Sequence, residues 1–474
     1  MRRSRPWADS VNGLRGPSAP VTFRTPHSAL RTPPVLPRVL IVTYYFPPAG
    51  GPGVQRVLKT VRYLRDAGFE PVVLTVDDGA FPSRDPGLAD DVPDGVEVIR
   101  TRAPDPFALY ARLTGRGAVP TGAVGASGPM SRLALWLRAN VFLPDARVGW
   151  VPYARHAGRK RLGRSARLAD PFAAVVTSGP PHSVHLIGRR LQKTGVPWVA
   201  DFRDPWTGIN FYHDLPMSRA ARALDRRLER RVLRQADAVT TVSPTWARLL
   251  ERQGGLAPGS VEVVTNGVDE ADLEAAEGET VRRDAFVLAH VGSLYATRNP
   301  TAVWEAIRQL RTSGHVPQLT IRLVGTTDDA VRQSAQGTGA PVEAVPYVTH
   351  ADAVREQARA ALLLLSIEPF PDDGGMITGK LYEYLASGRP VLGVGPEDGD
   401  AAALLAQTAG GAMHARDDVG GIAEDIKRHY DAWAEGAPLA GAAWDAVAPY
   451  TRRAQTARLA DVVRALGQPI ARAG

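Results

Sequence analysis

The sequence predicts an α/β protein built from two doubly wound, Rossmann-like domains. Short apolar runs, for example residues 38–44, 172–178, 285–292 and 360–367, recur along the chain, and a helical pattern follows each of them. Because these runs are apolar on both faces, they are typical of strands in a parallel sheet that helices cover on both sides. The length of 474 residues also exceeds what one hydrophobic core usually serves, which favours two domains.

The alternation of apolar runs and helices is interrupted between residues 254 and 284, where a glycine-containing stretch precedes an acidic one. We therefore place the domain boundary there. The first 38 residues carry seven arginines against one aspartate without apolar periodicity, which is typical of disorder. The predicted division is a disordered basic extension over 1–37, a first domain over 38–258, a linker over 259–284, a second domain over 285–440 and closing helices over 441–474.

The chain is basic, and lysine is rare in it. Its formal net charge is +8, and only five of its 57 basic residues are lysines, so each lysine is a candidate for a specific role. Residues 218–235 carry seven arginines on a helical pattern. This helix presents either a solvated basic face or a surface for the headgroups of an anionic membrane. The arginines lack the aromatic platforms that single-stranded nucleic acid requires, so nucleic acid is not an expected partner.

Two absences restrict the class of protein. The sequence contains no cysteine, which excludes disulfides, thiolate metal sites and thiol nucleophiles. It also lacks the apolar run of about 18 to 20 residues that a membrane span needs, and a signal-peptide pattern. We expect a cytoplasmic protein, with any membrane contact peripheral and on the inner face.

The turn after the first strand is rich in glycine. In VLIVTYYFPPAGGPGVQR, residues 39–56, an apolar strand is followed by Gly50, Gly51 and Gly53 and then by a helix. These glycines are expected to let the backbone approach a ligand closely, at a helix N-terminus that favours negative charge. The turn does not match the Gly-x-Gly-x-x-Gly fingerprint of dinucleotide-binding proteins.

The strand ends of the second domain carry candidate phosphate-binding groups. Gly292 and Ser293 follow the strand at 285–292 and offer backbone amides, and Arg298 lies just before the next helix. A cation beside a helix N-terminus is suited to a diphosphate.

A second cation lies at the start of a later helix. Thr378, Gly379 and Lys380 open this helix, and Glu383 follows on the same face. A carboxylate in this position suits the two hydroxyls of a ribose. The alternative is that Lys380 and Glu383 form only a surface ion pair, and spacing alone does not decide between the two.

Three residues of the first domain are further candidates. His182 follows two prolines at the end of the strand at 172–178 and is expected to project from the strand end. Arg203 and Asp204 follow the next strand. They either bind the acceptor or form a buried ion pair that braces their loop.

Four segments, in order along the chain, resemble one family of enzymes. They are the glycine turn and the motifs VADFRDPW, VVTNGVD and KLYEYLASGRPV. They are similar to glycosyltransferases of the GT-B fold, in particular the retaining family 4 type that builds cell-surface polysaccharides and glycolipids. The resemblance covers most of residues 38–465. It implies two domains facing a cleft, with the nucleotide sugar on the second and the acceptor on the first, and a C-terminal helix that crosses back to the first.

The resemblance also implies roles for single residues. Arg298 and Lys380 are expected to bind the diphosphate and, with His182 contacting the sugar, to form the catalytic set. Gly51 is expected beside the donor phosphate or the acceptor, and Glu383 on the ribose hydroxyls.

The backbone around Gly325, Tyr347 and Val348 is expected to flank the base. One position departs from the family pattern: a glutamate that often holds the sugar is replaced here by Gly375. Asp372, Asp373 and Glu368 are candidates to replace it.

The implied reaction is transfer of a sugar from a nucleotide-diphosphate sugar to a carbohydrate or lipid-linked acceptor of the cell envelope, with retention. No metal or other cofactor is expected, because two cations supply the charge that a divalent ion would. The alternatives are a nucleotide-sugar epimerase of the same fold and an NAD-dependent oxidoreductase.

Overall fold

The computed structural model describes residues 36–79, 81, 83–104, 129–167, 170–209, 212 and 214–467. The predicted basic extension, except for its last two residues, lies outside this part, as do residues 468–474 of the predicted closing helices.

Both predicted sheets are present and parallel. In the described residues the first has seven strands in the order β3-β2-β1-β4-β5-β6-β7, and the second has six in the order β10-β9-β8-β11-β12-β13. The strands of the first sheet are β1 Arg38–Val42, β2 Glu70–Val76, β3 Glu97–Thr101, β4 Phe172–Gly179, β5 Trp198–Phe202, β6 Ala238–Thr241 and β7 Val261–Val263. Those of the second are β8 Phe286–Val291, β9 Leu319–Val324, β10 Val342–Val345, β11 Leu362–Ser366, β12 Val391–Val394 and β13 Gly411–His414.

Helices connect the strands. In chain order they are α1 Pro52–Leu64, α2 Pro129–Asn140, α3 Val151–Arg167, α4 Ser183–Leu191, α5 Arg219–Gln235, α6 Pro244–Gly254, α7 Glu270–Leu273, α8 Thr301–Thr312, α9 Asp329–Gln336, α10 His350–Arg359, α11 Gly379–Ala386, α12 Asp400–Thr408, α13 Val419–Ala434, α14 Trp444–Val447 and α15 Arg452–Gly467.

The first sheet is buried between two helix layers, because successive side chains of a strand point to opposite faces. Val39 and Ile41 of β1 pack with α1 and α15. Leu40 and Val42 pack with α3, α4, α5 and α6 on the other face. The final helix of the described chain therefore lies on the first sheet, against α1.

The segment 259–284, predicted as a linker, begins with a strand. Val261–Val263 pairs in parallel with β6, so the first sheet extends beyond residue 258 into the segment 259–284. The apolar run at residues 260–265 is the sequence signal of this edge strand, of which three residues pair.

The helix over 219–235 is acidic on its inner side. Asp225 and Glu229 are 0% and 2% exposed, whereas most of its arginines point outward. The Trp206 indole donates to Asp225 Oδ1 at 3.0 Å, and the Thr207 hydroxyl donates to Glu229 Oε2 at 2.6 Å. Burial raises the pKa of Asp225 to about 6 and that of Glu229 to about 7. These acids hold the loop that follows β5.

Candidate functional site

Arg298 and Lys380 meet at one backbone oxygen. The Arg298 Nη2 donates to the Ser293 carbonyl at 2.8 Å, and the Lys380 Nζ donates to the same oxygen at 3.2 Å. Arg298 ends a short 3₁₀ turn before α8, and Lys380 lies in the first turn of α11. The two cations, far apart in sequence, thus form one positive cluster at the carboxyl end of β8.

This cluster has unsatisfied hydrogen-bonding capacity. The Arg298 Nε and the Thr378 hydroxyl are buried without a hydrogen-bond partner in the described part of the chain. Burial, with the neighbouring Arg298 charge second, lowers the pKa of Lys380 to about 7. Buried donors usually have partners, so these groups are suited to receive the oxygens of an anionic ligand.

Two glycines make room for the cluster. Gly292 has φ +114°, and a Cβ there would overlap the Cε and Nζ of Lys380. Gly325 has φ +107°, and its Cβ would lie 3.0 Å from the carbonyl carbon of Gly292. Both residues adopt a conformation that L side chains rarely take, and Gly292 also lets the lysine lie across the backbone.

Glu383 is not paired with Lys380. Its Oε2 accepts from the Gln357 amide at 3.0 Å, while Lys380 is directed to Ser293. The surface ion pair that sequence spacing leaves open is therefore not formed in the structure. The carboxylate of Glu383 is partly exposed and free to accept further bonds.

The predicted base-flanking residues follow β9 and β10, the two strands on one side of β8 in the sheet. Tyr347 and Val348 follow the edge strand β10, and Gly325 N donates to the Val345 carbonyl at 2.9 Å. Tyr347 is 84% exposed, which leaves its ring available to a ligand. Gly379 is the first residue of α11, next to Lys380.

His290 is a member of the cluster that the sequence analysis missed. Its Nδ1 lies 2.9 Å from the Leu364 carbonyl, and its Nε2 lies 3.3 Å from Lys380 Nζ. Burial, then the charge of Lys380, lowers its pKa to about 3, so the ring is neutral and Nε2 accepts from the lysine. A histidine in an otherwise apolar strand was the available signal.

Two glycines of the first-domain turn are required by contacts within the protein itself. Gly51 precedes α1 with φ +102°. A Cβ on Gly50 would lie 2.9 Å from the Ser83 hydroxyl, and one on Gly53 would lie 2.7 Å from Arg203 Nη1. Of the three glycines, Gly51 remains the one with open space around it.

His182 is a neutral, buried histidine. Its ring stacks on Trp206 with centroids 5.3 Å apart and an interplanar angle of 6°. Both ring nitrogens are buried without a partner among the described residues. Burial, then the nearby His185 and Arg203, lowers its pKa well below the usual value. The ring is held by packing without a hydrogen bond among the described residues, so both nitrogens keep unused hydrogen-bonding capacity.

Arg203 braces backbone rather than an acid. Its guanidinium donates to the Gly179 carbonyl at 3.0 Å, to Pro180 at 2.5 Å and also to Gly53. It therefore joins the glycine turn to the loop that carries His182. Asp204 is partly exposed, and burial raises its pKa.

The buried ion pair of the VADFRDPW motif involves Asp201. The Arg56 Nη2 donates to Asp201 Oδ1 at 2.9 Å and to the Val264 carbonyl at 2.9 Å. Ser178 and Thr240 donate to the same carboxylate at 2.8 and 2.9 Å. This pair joins α1, β5 and the end of β7 beneath the glycine turn.

The carboxyl ends of the two sheets contact each other at one edge. The Ser243 hydroxyl, which precedes α6, donates to the Gly375 carbonyl at 2.7 Å. Thr245 donates to Asp400 from its backbone amide at 2.8 Å and from its hydroxyl at 2.9 Å. The Trp246 indole donates to the Asp372 carbonyl at 3.3 Å. Asp400, the first residue of α12, therefore caps a helix of the other domain.

Trp246 also explains the missing glutamate. A Cβ on Gly375 would overlap the Trp246 indole, so this position has no room for a side chain. Of the candidate replacements, Asp373 forms an ion pair with Arg416 at 2.5 Å. The side chains of Asp372 and Glu368 are partly exposed and do not form an ion pair in the described part of the chain. Asp372 borders the first domain, with Oδ2 3.6 Å from the Cβ position of Gly208.

The chain is similar in sequence and in fold to known glycosyltransferases. Residues 50–267 match a glycosyl transferase 4-like domain. Three solved structures are similar over nearly the whole chain. A glycosyltransferase from Rickettsia africae is 12% identical with a TM-score of 0.59, covering 91% of this chain and 99% of its own. Anabaena HepE, in complex with UDP and glucose, is 15% identical with a TM-score of 0.54, at 91% and 99% coverage.

The third is an α,α-trehalose-phosphate synthase from Burkholderia vietnamiensis, 11% identical with a TM-score of 0.55, at 91% and 98% coverage. The chain has the GT-B fold. No curated protein sequence matches it. Among the described residues no helix is long and apolar enough to cross a membrane.

Proposed function

We propose that this protein is a retaining glycosyltransferase that uses a nucleotide-diphosphate sugar. The observation that carries the proposal is the joint approach of Arg298 and Lys380 to the Ser293 carbonyl, with the unpartnered Arg298 Nε and Thr378 hydroxyl beside them. The glycosyl transferase 4-like match and the UDP bound to a structural neighbour support a sugar nucleotide as the donor.

The cluster would act on the leaving group. As the bond between the anomeric carbon and the diphosphate oxygen breaks, negative charge grows on the diphosphate, and two adjacent cations stabilise it. The acceptor hydroxyl attacks from the side on which the diphosphate leaves, and a phosphate oxygen takes its proton. The protein orients the reactants and stabilises charge, without a covalent intermediate or a required metal.

Other side chains complete the donor site. Glu383 would accept hydrogen bonds from both ribose hydroxyls. The backbone at Gly325, Tyr347 and Val348 would flank the base. His182, which lies on the first domain, would form a hydrogen bond with the sugar. Asp372 would replace the carboxylate missing at Gly375, because it borders both domains while Asp373 is paired with Arg416.

The acceptor would be a carbohydrate or a lipid-linked sugar of the cell envelope, bound on the first domain near Arg203 and Asp204. With such an acceptor the protein would act in the cytoplasm at the inner face of an anionic membrane, as a peripheral protein.

Thermal unfolding with a panel of UDP-, GDP- and dTDP-sugars tests the donor site. A donor at 100 times its dissociation constant should stabilise the protein by about 2.7 kcal/mol. Lys380→Ala should abolish the shift. Lys427→Ala is the matched control, because Lys427 pairs with Asp431 on the surface of α13, and it should leave the shift intact. An unchanged shift in Lys380→Ala contradicts the proposed phosphate site.

Product analysis and NAD binding distinguish two alternative activities from sugar transfer. A nucleotide-sugar epimerase would release free nucleotide with no acceptor present, and an NAD-dependent oxidoreductase would bind NAD tightly. We expect neither result.

A further inference from the structure

A basic groove runs along the outer surface of the first domain. It lies between α3 and α5, with the end of α4 as its floor, and encloses about 620 Å³. Six cations line it: Arg155, Arg159, Arg189, Arg190, Lys193 and Arg231. None of them belongs to the donor cluster or to the proposed acceptor residues.

Helix lengths explain the groove. The helices α3 and α5 have 17 residues each, whereas α4 has nine and is mostly buried. The two long helices therefore stand as walls on either side of a recessed floor. Leu224, Arg227 and Arg231 follow one another at helical spacing, so they form one stripe along the groove side of α5.

The charges in the groove are uncompensated. In the described part of the chain none of the six cations forms an ion pair with a carboxylate, and Arg190 bonds only the Leu186 carbonyl at 3.3 Å. Asp237, beside the groove, accepts from Gln192 and from the Trp198 amide instead. Burial, then the proximity of Arg189 and Arg155, lowers the pKa of Arg190. Like charges repel across the groove, and a multiply charged anion would relieve this repulsion.

An apolar ridge lies near the start of α5, at the opposite end of that helix from Arg231. Leu133, Trp136 and Leu137 of α2 are 50%, 46% and 39% exposed, while Leu135 on the opposite side is buried. The Asn140 amide donates to the Pro216 carbonyl at 2.9 Å, and Ser218 N donates to Asn140 Oδ1 at 2.7 Å. These bonds join the end of α2 to the start of α5.

Leu224 connects the ridge with the groove. It is 50% exposed and lies on the same stripe of α5 as Arg231, two turns away. One surface thus carries exposed tryptophan and leucine at one end and a set of cations at the other. This combination is typical of proteins that rest on an anionic bilayer, whereas a soluble anion would need only the cations.

We propose that this face of the first domain docks on an anionic membrane, with lipid phosphates in the groove between α3 and α5 and with the α2 ridge among the headgroups. The inference deepens the membrane contact in the proposed function, and it names the face responsible.

Sedimentation of the full chain with vesicles tests it. The chain should bind vesicles that contain phosphatidylglycerol and not vesicles of phosphatidylcholine alone. A cation near an anionic surface contributes about fivefold in affinity, so Arg155→Glu with Arg231→Glu should weaken binding by at least about 25-fold. Trp136→Ser should weaken binding without changing its salt dependence.

The matched control reverses two arginines on the opposite helix layer of the same sheet. Arg62 on α1 and Arg458 on α15 are exposed, and their replacement by Glu changes the net charge equally. This control should weaken binding far less than the groove pair does. Equal losses in the two pairs, or no loss in the groove pair, would overturn the proposal.

Two further measurements distinguish a membrane site from a site for a soluble anion, and this inference from the proposed function. Pyrophosphate, at concentrations that leave the vesicles intact, should compete only weakly with vesicles for the protein. Tight binding of pyrophosphate to the groove, together with vesicle binding that survives mutation of the groove, would overturn the membrane assignment. Donor-induced thermal shifts should be unchanged in the groove variants. A chain that binds vesicles through the groove but shows no donor shift would refute the proposed function and leave this inference standing.

Discussion

Lys380 lies across Gly292 so closely that a side chain on the glycine would overlap its ammonium group. The position of this helical lysine therefore depends on the absence of a single methyl group just after β8.

Gly292→Ala should weaken donor binding by displacing Lys380. It should also cost about 1 to 2 kcal/mol of stability, because the glycine has φ +114°. Gly314→Ala is the control, since Gly314 has φ +74° and no atom within 4 Å of its Cβ position. Titration of both variants with a sugar nucleotide checks this: a loss of affinity in Gly292→Ala no larger than in the control would contradict it.

Donor affinity should fall as the pH rises above 7. The pKa of Lys380 is about 7 in the free protein, and a bound diphosphate would raise it. Below pH 7 the lysine is already protonated, so binding needs no proton. Above it, binding takes up a proton and weakens by up to about tenfold per pH unit. Calorimetry in buffers of different ionisation enthalpy measures this uptake, and it should vanish in Lys380→Arg.

His182→Phe should lower the transfer rate and keep the protein stable. Phenylalanine preserves the stack on Trp206 but removes both ring nitrogens. We expect the free energy of unfolding to stay within about 1 kcal/mol of the parent value, as for volume-conserving core changes. We expect kcat to fall. A variant with full activity would show that neither nitrogen contacts the reacting sugar.

Gly375→Ala should destabilise the contact between the two sheets, and Trp246→Ala should relieve the overlap. The cost of Gly375→Ala is expected to be about 1 to 3 kcal/mol in the parent, as for overpacking, and to be smaller when Trp246 is already alanine. A double-mutant cycle by chemical denaturation measures the coupling. Strictly additive effects would mean that the indole does not exclude a side chain there.

Breaking the buried pair of Arg56 and Asp201 should destabilise the first domain. Asp201→Asn leaves a guanidinium buried without its counter-charge, and we expect a loss of about 3 to 5 kcal/mol in unfolding free energy. Asp66→Asn, which breaks the exposed pair of Asp66 with Arg453, is the control and should have little effect.

The sequence predicted the two sheets, and the positions of Arg298 and Lys380 beside helix starts, better than it predicted the contacts between distant residues. Apolar strands and a cation at a helix start are local patterns in the sequence. The two sheets and the positions of Arg298 and Lys380 could therefore be predicted. His290, Asp201 and Trp246 act through residues up to 145 positions away, as in the bond between Arg56 and Asp201. No local pattern marks such partners. The same limit applies to Arg203, whose partners are backbone carbonyls of three separate residues.

The capping of α6 by Asp400 has a mechanical consequence. Any motion that parts the two sheets at this edge must strip two hydrogen bonds from Thr245 and expose the start of the helix to water. Entry of large substrates by that route would thus be resisted by the helix itself, whereas rotation about this edge as a hinge would keep both bonds and widen the opposite side.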